Sequence, residues 1–575
     1  MGMGATNTID RVAASVGLLC EVGLEFKPAV DVSGAGVLFA LPALLACGLL
    51  LHARKYFNLP KGYYGLESLL MLLAFMALGR VKSVEALRYL PPGEWGKFLG
   101  LDRIPEARTL RNKIKLLAQQ GDVAGWEAKL CESWMQEASD TIGVFYIDGH
   151  VRVYYGSQTK LPRHYVSRER LCLRATTDYW VNTMDGRPFF YVNKAVDPGL
   201  LNVLENDIVP QLNQYIPKLP DAEYSQEPGN LAKPRFTLIC DREGYSPETM
   251  QRQRAQGIAC MTYHKYPGAN WPEDEFQRVQ VTLISGEQVY MDLAWRGVMV
   301  GGSKVWMHEI RRLTQSGHQT SILTTHEGLS IVDIAKWMFA RWCQENFFRY
   351  MRQHYGLDRL VDYCLDDIPE STRVVNPAHR EIDGTVRKQV GVLQRKRAQY
   401  GALRIQGDIE QSNVEPYEHK KAELQQEITE LEHEVEQLKQ KRRETQRHIT
   451  ISELSEEQRF KALSTDSKYF VDTVKMVAYR AETAMVSMLR PHVHKDDDVR
   501  SLLRAIYSNE ADLIPNDKEM TLTVHLHHLA NRAETELLKN LCDELNATQT
   551  IYPGTKYRLI YQVGSSNSAN ATSVP

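Results

Sequence analysis

The chain has 575 residues, is 43% hydrophobic and 24% charged, and carries a formal net charge of −2. That length accommodates two to four domains with sizeable cores. The near-neutral balance excludes a polycation, so any contact with nucleic acid has to come from local basic patches. Nine Cys occur without a CxxC pair. With no visible secretory signal, they read as buried thiols in a reducing, cytoplasmic compartment, and the sequons at Asn546 and Asn570 as chance.

Residues 1–33 carry little signal beyond Met1-Gly2 with Thr6, which fits the short myristoylation pattern. Ala35 to Ala53 is apolar over nearly the length a membrane span needs. Pro42 inside the run and His52 near its end favour a buried core helix broken near Pro42. From Leu38 to Gln120 the text is helical, with turns at Pro60 and Pro91-Pro92-Gly93. Within it, IPEARTLRNKIK (104–115) is basic. Arg108, Arg111, Lys113 and Lys115 suit either phosphates, as on the second helix of a helix-turn-helix, or a solvated surface helix.

The texture changes at Thr141. TIGVFYIDGHVRVYYG (141–156) reads as two strands turning at Asp148-Gly149, and Arg170 to Asn193 as further strands with a turn at Asp185-Gly186. A helix is expected over Leu200–Tyr215. A short buried strand over Arg235–Cys240 ends at Asp241. A helix over Pro247–Gln256 and a strand over Ile258–His264 follow. Trp271 to Thr325 is rich in Val, Thr, Tyr and Trp and reads as a β-rich insertion, with turns at Ser285-Gly286, Arg296-Gly297 and Gly301-Gly302.

Ser330 to Asp358 follows as one long helix. Ile331, Ile334, Ala335, Met338 and Phe339 form its apolar stripe, and Arg341, Glu345 and Arg352 share a face. Trp342 and Phe348 read as core rather than base-stacking platforms. After Asp366-Asp367 the chain becomes linker-like and basic through Arg404. Leu424, Ile428, Leu431, Val435 and Leu438 then step by four and three, which fits an intramolecular helical hairpin as well as a dimer zipper. Residues 451–563 read as a small α/β unit and 564–575 as a disordered tail. The pairs His492/His494 and His525/His527 read as surface histidines without Cys partners rather than zinc ligands.

Three acidic positions carry the chemistry: Asp148 and Asp241 at strand ends, and Glu345 on the helix that follows the sheet. Clustered carboxylates repel unless cations lie between them, and oxygen-only ligands favour Mg²⁺ or Mn²⁺. The chain resembles the DDE-type transposases of bacterial insertion sequences, on YIDGH (Asp148), CDREGYS (Asp241) and RWCQEN (Glu345), over about Leu38 to Tyr363. The resemblance implies an α/β fold with a ribonuclease-H-like mixed sheet interrupted by the β-rich insertion and flanked by helical N-terminal and C-terminal regions. The divisions it suggests are 1–139, 140–265, 266–325, 326–366, 367–450, 451–563 and 564–575. It further implies two Mg²⁺ (or Mn²⁺) ions held by Asp148, Asp241 and Glu345. The expected partners are double-stranded transposon-end and target DNA, bound by a homodimer in a bacterial, nucleoid-associated setting. In that group the last helix reads Tyr-x2-Arg-x3-Glu-x6-Lys. Arg341 and Glu345 fit this pattern, while Met338 stands at the Tyr position and Arg352 at the Lys position. Arg341, Arg352 and Arg242 would then grip backbone phosphates, Arg242 having a surface pair with Glu243 as its alternative. The Met338 departure also admits a domesticated DNA-binding protein that cuts poorly.

Overall fold

The computed structural model describes residues 7–137, 143–156, 159–166, 169–216, 234–283, 286–302, 305–362, 364–404, 411–492, 496–529 and 531–564. The expectations at Met1-Gly2 and Thr6, Thr141, Ser285, His494 and 565–575 lie outside these, as do the side chains of Trp342 and His492. The chain divides into two compact units, one of residues 1–154, 163–364 and 463–575, the other of 155–162 and 365–462. The fold is mixed α/β.

The larger unit is built on a ten-stranded sheet. Its strands are β2 (Val144–Val153), β3 (Arg163–Val166), β4 (Leu171–Thr183), β5 (Pro188–Lys194), β6 (Phe236–Cys240), β7 (Ile258–Tyr263), β8 (Gln277–Thr282), β9 (Gln288–Val300), β10 (Val305–Leu313) and β11 (Gln319–Thr324); an earlier strand, β1 (Ala29–Val32), belongs to another sheet. The order is β3-β4-β2-β6-β7-β11-β10-β9-β8, with β5 also on β4. β4 runs antiparallel to both β2 and β5, whereas β2, β6 and β7 are mutually parallel. The β-rich segment after β7 does not form a separate module. β11 pairs antiparallel with β7, so the segment extends the same sheet.

Two expected turns are absent. Asp148-Gly149 does not reverse the chain: β2 runs unbroken through it, with Asp148 opposite Trp180 and Gly149 opposite Tyr179. Thirteen-residue β4 offers a ladder long enough to hold both residues extended, so tertiary pairing overrides the local turn preference of Asp-Gly. Arg296-Gly297 likewise stays inside β9, held by Glu309 and His308 of β10. Asp185-Gly186 does turn, with Gly186 at φ +82° and the Thr183 N–H donating to the Arg187 carbonyl.

The apolar run at 35–53 is a one-turn helix over Ala35–Ala40, a second over Leu41–Ala46 with Pro42 in its first turn, and a short third over Ala53–Tyr56. Among the described residues no helix is long and apolar enough to cross a membrane. Pro at the first turn of a helix costs little, since its missing N–H would have no partner there. The N-terminal segment also supplies β1. It pairs with Ala511–Asn516 in a four-stranded sheet completed by Thr521–His527 and Arg558–Gly564. On that sheet His525 is buried beside Asp512, which corrects its reading as a surface histidine.

In the smaller unit, helices Pro377–Ala402 and Gln411–Glu444 lie antiparallel, joined by Arg442–Asp383 at 2.7 Å and Lys396–Glu427 at 2.6 Å. Leu393 packs with Ile428 and Val435. Within the chain, the heptad-spaced residues Ile428 and Val435 therefore close a helical hairpin.

A candidate acidic active site where two parallel strands part

The side-chain period of two decides which carboxylates face the same way. On β2, Phe145 and Ile147 point into the main core, whereas Val144 and Tyr146 point to the opposite face, and Asp148 continues their row. On β6, Ile239 shares that second face, and Asp241 continues its row. The register pairs Ile147 with Cys240 as the last residues of the parallel ladder. Asp148 and Asp241 therefore emerge side by side, one residue beyond it.

The third carboxylate arrives on the helix covering this face. The segment expected as one helix is Ile331–Ala340, capped by the Ser330 hydroxyl accepting from the Asp333 N–H, then Trp342–Tyr350, then a π turn over Met351–Tyr355. Arg341 sits at the break between the first two. The chain leaves the π turn through Gly356 at φ +64°, where a Cβ would come within 2.9 Å of the Lys82 carbonyl oxygen. Met338 is fully buried against Tyr146, Ile239 and Met261. Gln344 sets the helix against the sheet: its buried amide donates to the carbonyls of Tyr146 and Trp180 at 3.2 Å and to Asn182 Oδ1 at 2.9 Å. The next residue is Glu345.

Arg341 stands between the carboxylates. Its guanidinium donates to Glu345 Oε1 at 2.8 Å and lies 3.8 Å from Asp148 Oδ2. Burial works against the Arg341 charge, but Asp148 and Glu345 outweigh it and raise its pKa. The Asp148 carboxyl is pushed up to about 7, first by burial and then by the Asp241 charge; Arg341 and the Gly149 N–H only partly offset this. Asp241 Oδ1 accepts from the Glu243 N–H at 2.8 Å, which fixes the turn after β6. Desolvation and the charges of Asp241 and Asp197 raise the Glu243 carboxyl in turn. The centre thus holds more negative charge than it can neutralise by itself. No three ligand atoms drawn from Asp148, Asp241 and Glu345 lie within 4.8 Å of one another, and Glu345 is bonded to Arg341.

The expected phosphate-binding residues divide. Arg242 and Arg352 are exposed and lack a salt bridge among the described residues, so the Arg242–Glu243 pair does not form. Arg108, Arg111 and Lys113 lie on helix Ala107–Gln120, which buries Leu110, Ile114 and Leu117. Arg108 is exposed, Arg111 is paired with Glu85, and burial lowers the pKa of Lys113. Among the described residues, no hydrogen bond or salt bridge joins this helix to the three carboxylates.

Four neighbours escaped the sequence reading. Gln344 stands beside a recognised acid and had a local signal, and Glu243, read only as a surface partner of Arg242, is part of the acidic centre. Asp197, which accepts from the Tyr179 hydroxyl, had none. Tyr263 ends β7 one strand from Asp241 and lies within electrostatic reach of Arg341. Its clue was the strand-end position it shares with Asp241.

Two carboxylates just beyond a parallel ladder, with Arg341 between Asp148 and Glu345, fit an enzyme of phosphodiester chemistry. A family model described as a transposase protein (Transposase_29) matches residues 2–565. The chain belongs to that family and is a transposase, an enzyme class that binds and cleaves DNA. None of the curated proteins compared with it matches the chain.

Proposed function

We propose that this transposase is of the DDE type. Asp148, Asp241 and Glu345 would hold two Mg²⁺ (or Mn²⁺) ions on a ribonuclease-H-like sheet, and the enzyme would cleave element ends and join them to target DNA. The observation that carries the proposal is the pairing of Ile147 with Cys240, which sets two carboxylates side by side, the Asp241 charge acting on Asp148 against only partial compensation by Arg341. The sheet supports it too: an antiparallel group, β5-β4-β2, continues into parallel β6 and β7. The donor set fits the ions, being all oxygen and charge-frustrated, with one guanidinium in the position of a cation. When bound, two such ions supply an activated nucleophile and neutralise charge on the scissile phosphate.

The chain's own residues do the rest. Asp148 and Asp241 are held on rigid strands, so their separation is set by sheet register. Glu345 is the adjustable member, able to exchange Arg341 for a cation by side-chain rotation. Arg341, once released, is a bidentate donor for a phosphate, and exposed Arg242 and Arg352 extend that grip along the backbone. Met338 is core and contributes no hydroxyl; Tyr263 stands nearest to that role. Arg108, Arg111 and Lys113 form a second, sequence-distant contact to duplex DNA. A synaptic dimer on two element ends, associated with a bacterial nucleoid, completes the reading.

The test is cleavage of end-sequence DNA in Mg²⁺ and in Ca²⁺ with the intact chain and with Asp148→Asn. Mg²⁺-dependent nicking lost in the variant supports the proposal; nicking retained in the variant sinks it. A second reading, a transposase relative that binds DNA but cuts poorly, is favoured by buried Met338. It predicts salt-sensitive binding without nicking.

A further inference from the structure

A second cluster of metal-ligating side chains lies on the four-stranded sheet, apart from the acidic centre. Strand Thr521–His527 carries His525 and His527 two residues apart, hence on one face. Asp512 lies directly opposite His525 on the neighbouring strand. β1 adds Asp31 from the other edge. Asp31 has φ +52°, a left-handed conformation that a non-glycine residue rarely adopts, at the irregularity between the Ala29–Leu513 and Val32–Ala511 pairs. Its N–H donates to Asp512 Oδ1 at 3.0 Å. His527 Nε2 lies 3.0 Å from Asp512 Oδ1 and 3.6 Å from Asp31 Oδ1. These spacings bracket the roughly 3.3 Å between neighbouring ligands of a tetrahedral ion with bonds near 2.0 Å.

The ligand atoms of Asp31, Asp512 and His527 all lie within 4.8 Å of one another, the only such group of three among the described residues. The pocket floor is also unsatisfied. Asp512 keeps 3% and His525 8% side-chain exposure, and Asp512 Oδ2 has only His525 Nδ1 facing it, in a long ion pair at 3.5 Å. A buried carboxylate held this loosely on one oxygen gains from a cation on the other, Oδ1, where His527 and Asp31 converge.

We propose that Asp31, Asp512 and His527 bind one divalent transition-metal ion of the zinc type, with His525 as a positioning residue on the second oxygen of Asp512. Mixed imidazole and carboxylate donors suit zinc, and three protein ligands leave a fourth position for water. The ion would clasp β1 to the C-terminal strands. This is a structural role, independent of the Mg²⁺ chemistry proposed for Asp148, Asp241 and Glu345.

The test uses the full chain, stripped with chelator and re-equilibrated with ZnSO₄. Bound zinc is counted by elemental mass spectrometry after gel filtration, and Co²⁺ is titrated in parallel for its visible absorption. One equivalent of zinc is expected, together with a Co²⁺ band and a zinc-dependent rise in Tm. Asp31→Asn and His527→Asn should each lose the equivalent and the band, and His525→Gln should weaken binding by about 10–100-fold. Asp31 is exposed, so its variant carries the test if the His527 variant fails to fold. A folded wild-type chain that retains no zinc, or stoichiometric zinc that survives Asp31→Asn, would overturn the proposal.

Discussion

Two carboxylates in the larger unit, Glu482 fully buried and Asp148 half-buried, face opposite circumstances. Glu482 is fully buried, yet its pKa is lowered: burial raises it, but Arg80 at 2.8 Å and Arg500 at 3.1 Å prevail, with Tyr350 and Tyr355 donating their hydroxyls. Asp148 has a single guanidinium 3.8 Å away and a second carboxylate beside it, and its pKa rises to about 7. One site satisfies its charge completely and holds helices together. The other leaves its charge unmet by the protein, which is the condition for holding something else. Saturation by partners, more than burial, separates the structural acid from the reactive one.

The sharpest way to break this contrast is to remove each acid. Asp148→Asn should reduce strand cleavage by about 10³-fold or more, the scale of losing a group that stabilises transition-state charge, while leaving the melting temperature equal or higher. Glu482→Gln should do the reverse. Leaving Arg80 and Arg500 buried without a counter-charge should cost about 3–5 kcal/mol in chemical denaturation. Gln344→Ala tests the scaffold between them. Loss of its donors to Tyr146, Trp180 and Asn182 should cost about 1–3 kcal/mol and depress cleavage through misplaced Glu345.

A pH series sharpens the comparison further. The folded Asp148 carboxyl titrates near 7, above the unfolded value of about 3.9, so the native state holds its proton more tightly. Its contribution to stability is full below about pH 4 and is lost as pH rises through about 7. Mg²⁺ needs the ionised form. The Mg²⁺-induced rise in Tm should therefore grow from about pH 6 to about pH 8, and Asp148→Asn should flatten that dependence. The smallest expected effect is at Arg242. Its change to Ala should weaken DNA binding for all sequences alike and reduce the salt slope by about one.

Much of the site was legible because strands and helices announce themselves by period. The buried run ending at Asp241 and the amphipathic stripe before Glu345 both follow from spacing. The Asp148-Gly149 turn failed because a dipeptide preference of local origin met a thirteen-residue partner strand. Asp197 and Tyr263 were illegible for another reason. Each reaches the acidic centre only through strand order, which no local window contains.

By itself the sequence determined that the chain alternates strands and helices, carries well-spaced acids beside buried apolar runs, and includes heptad-spaced helices. Those features depend on side chains a few residues apart. Tertiary structure alone decided that Ile147 lies beside Cys240, that Arg341 stands between Asp148 and Glu345, and that Asp31 meets His527 across nearly 500 positions. Pairing register and desolvation are properties of neighbours in space, and they fix which charges are satisfied and which remain to be used.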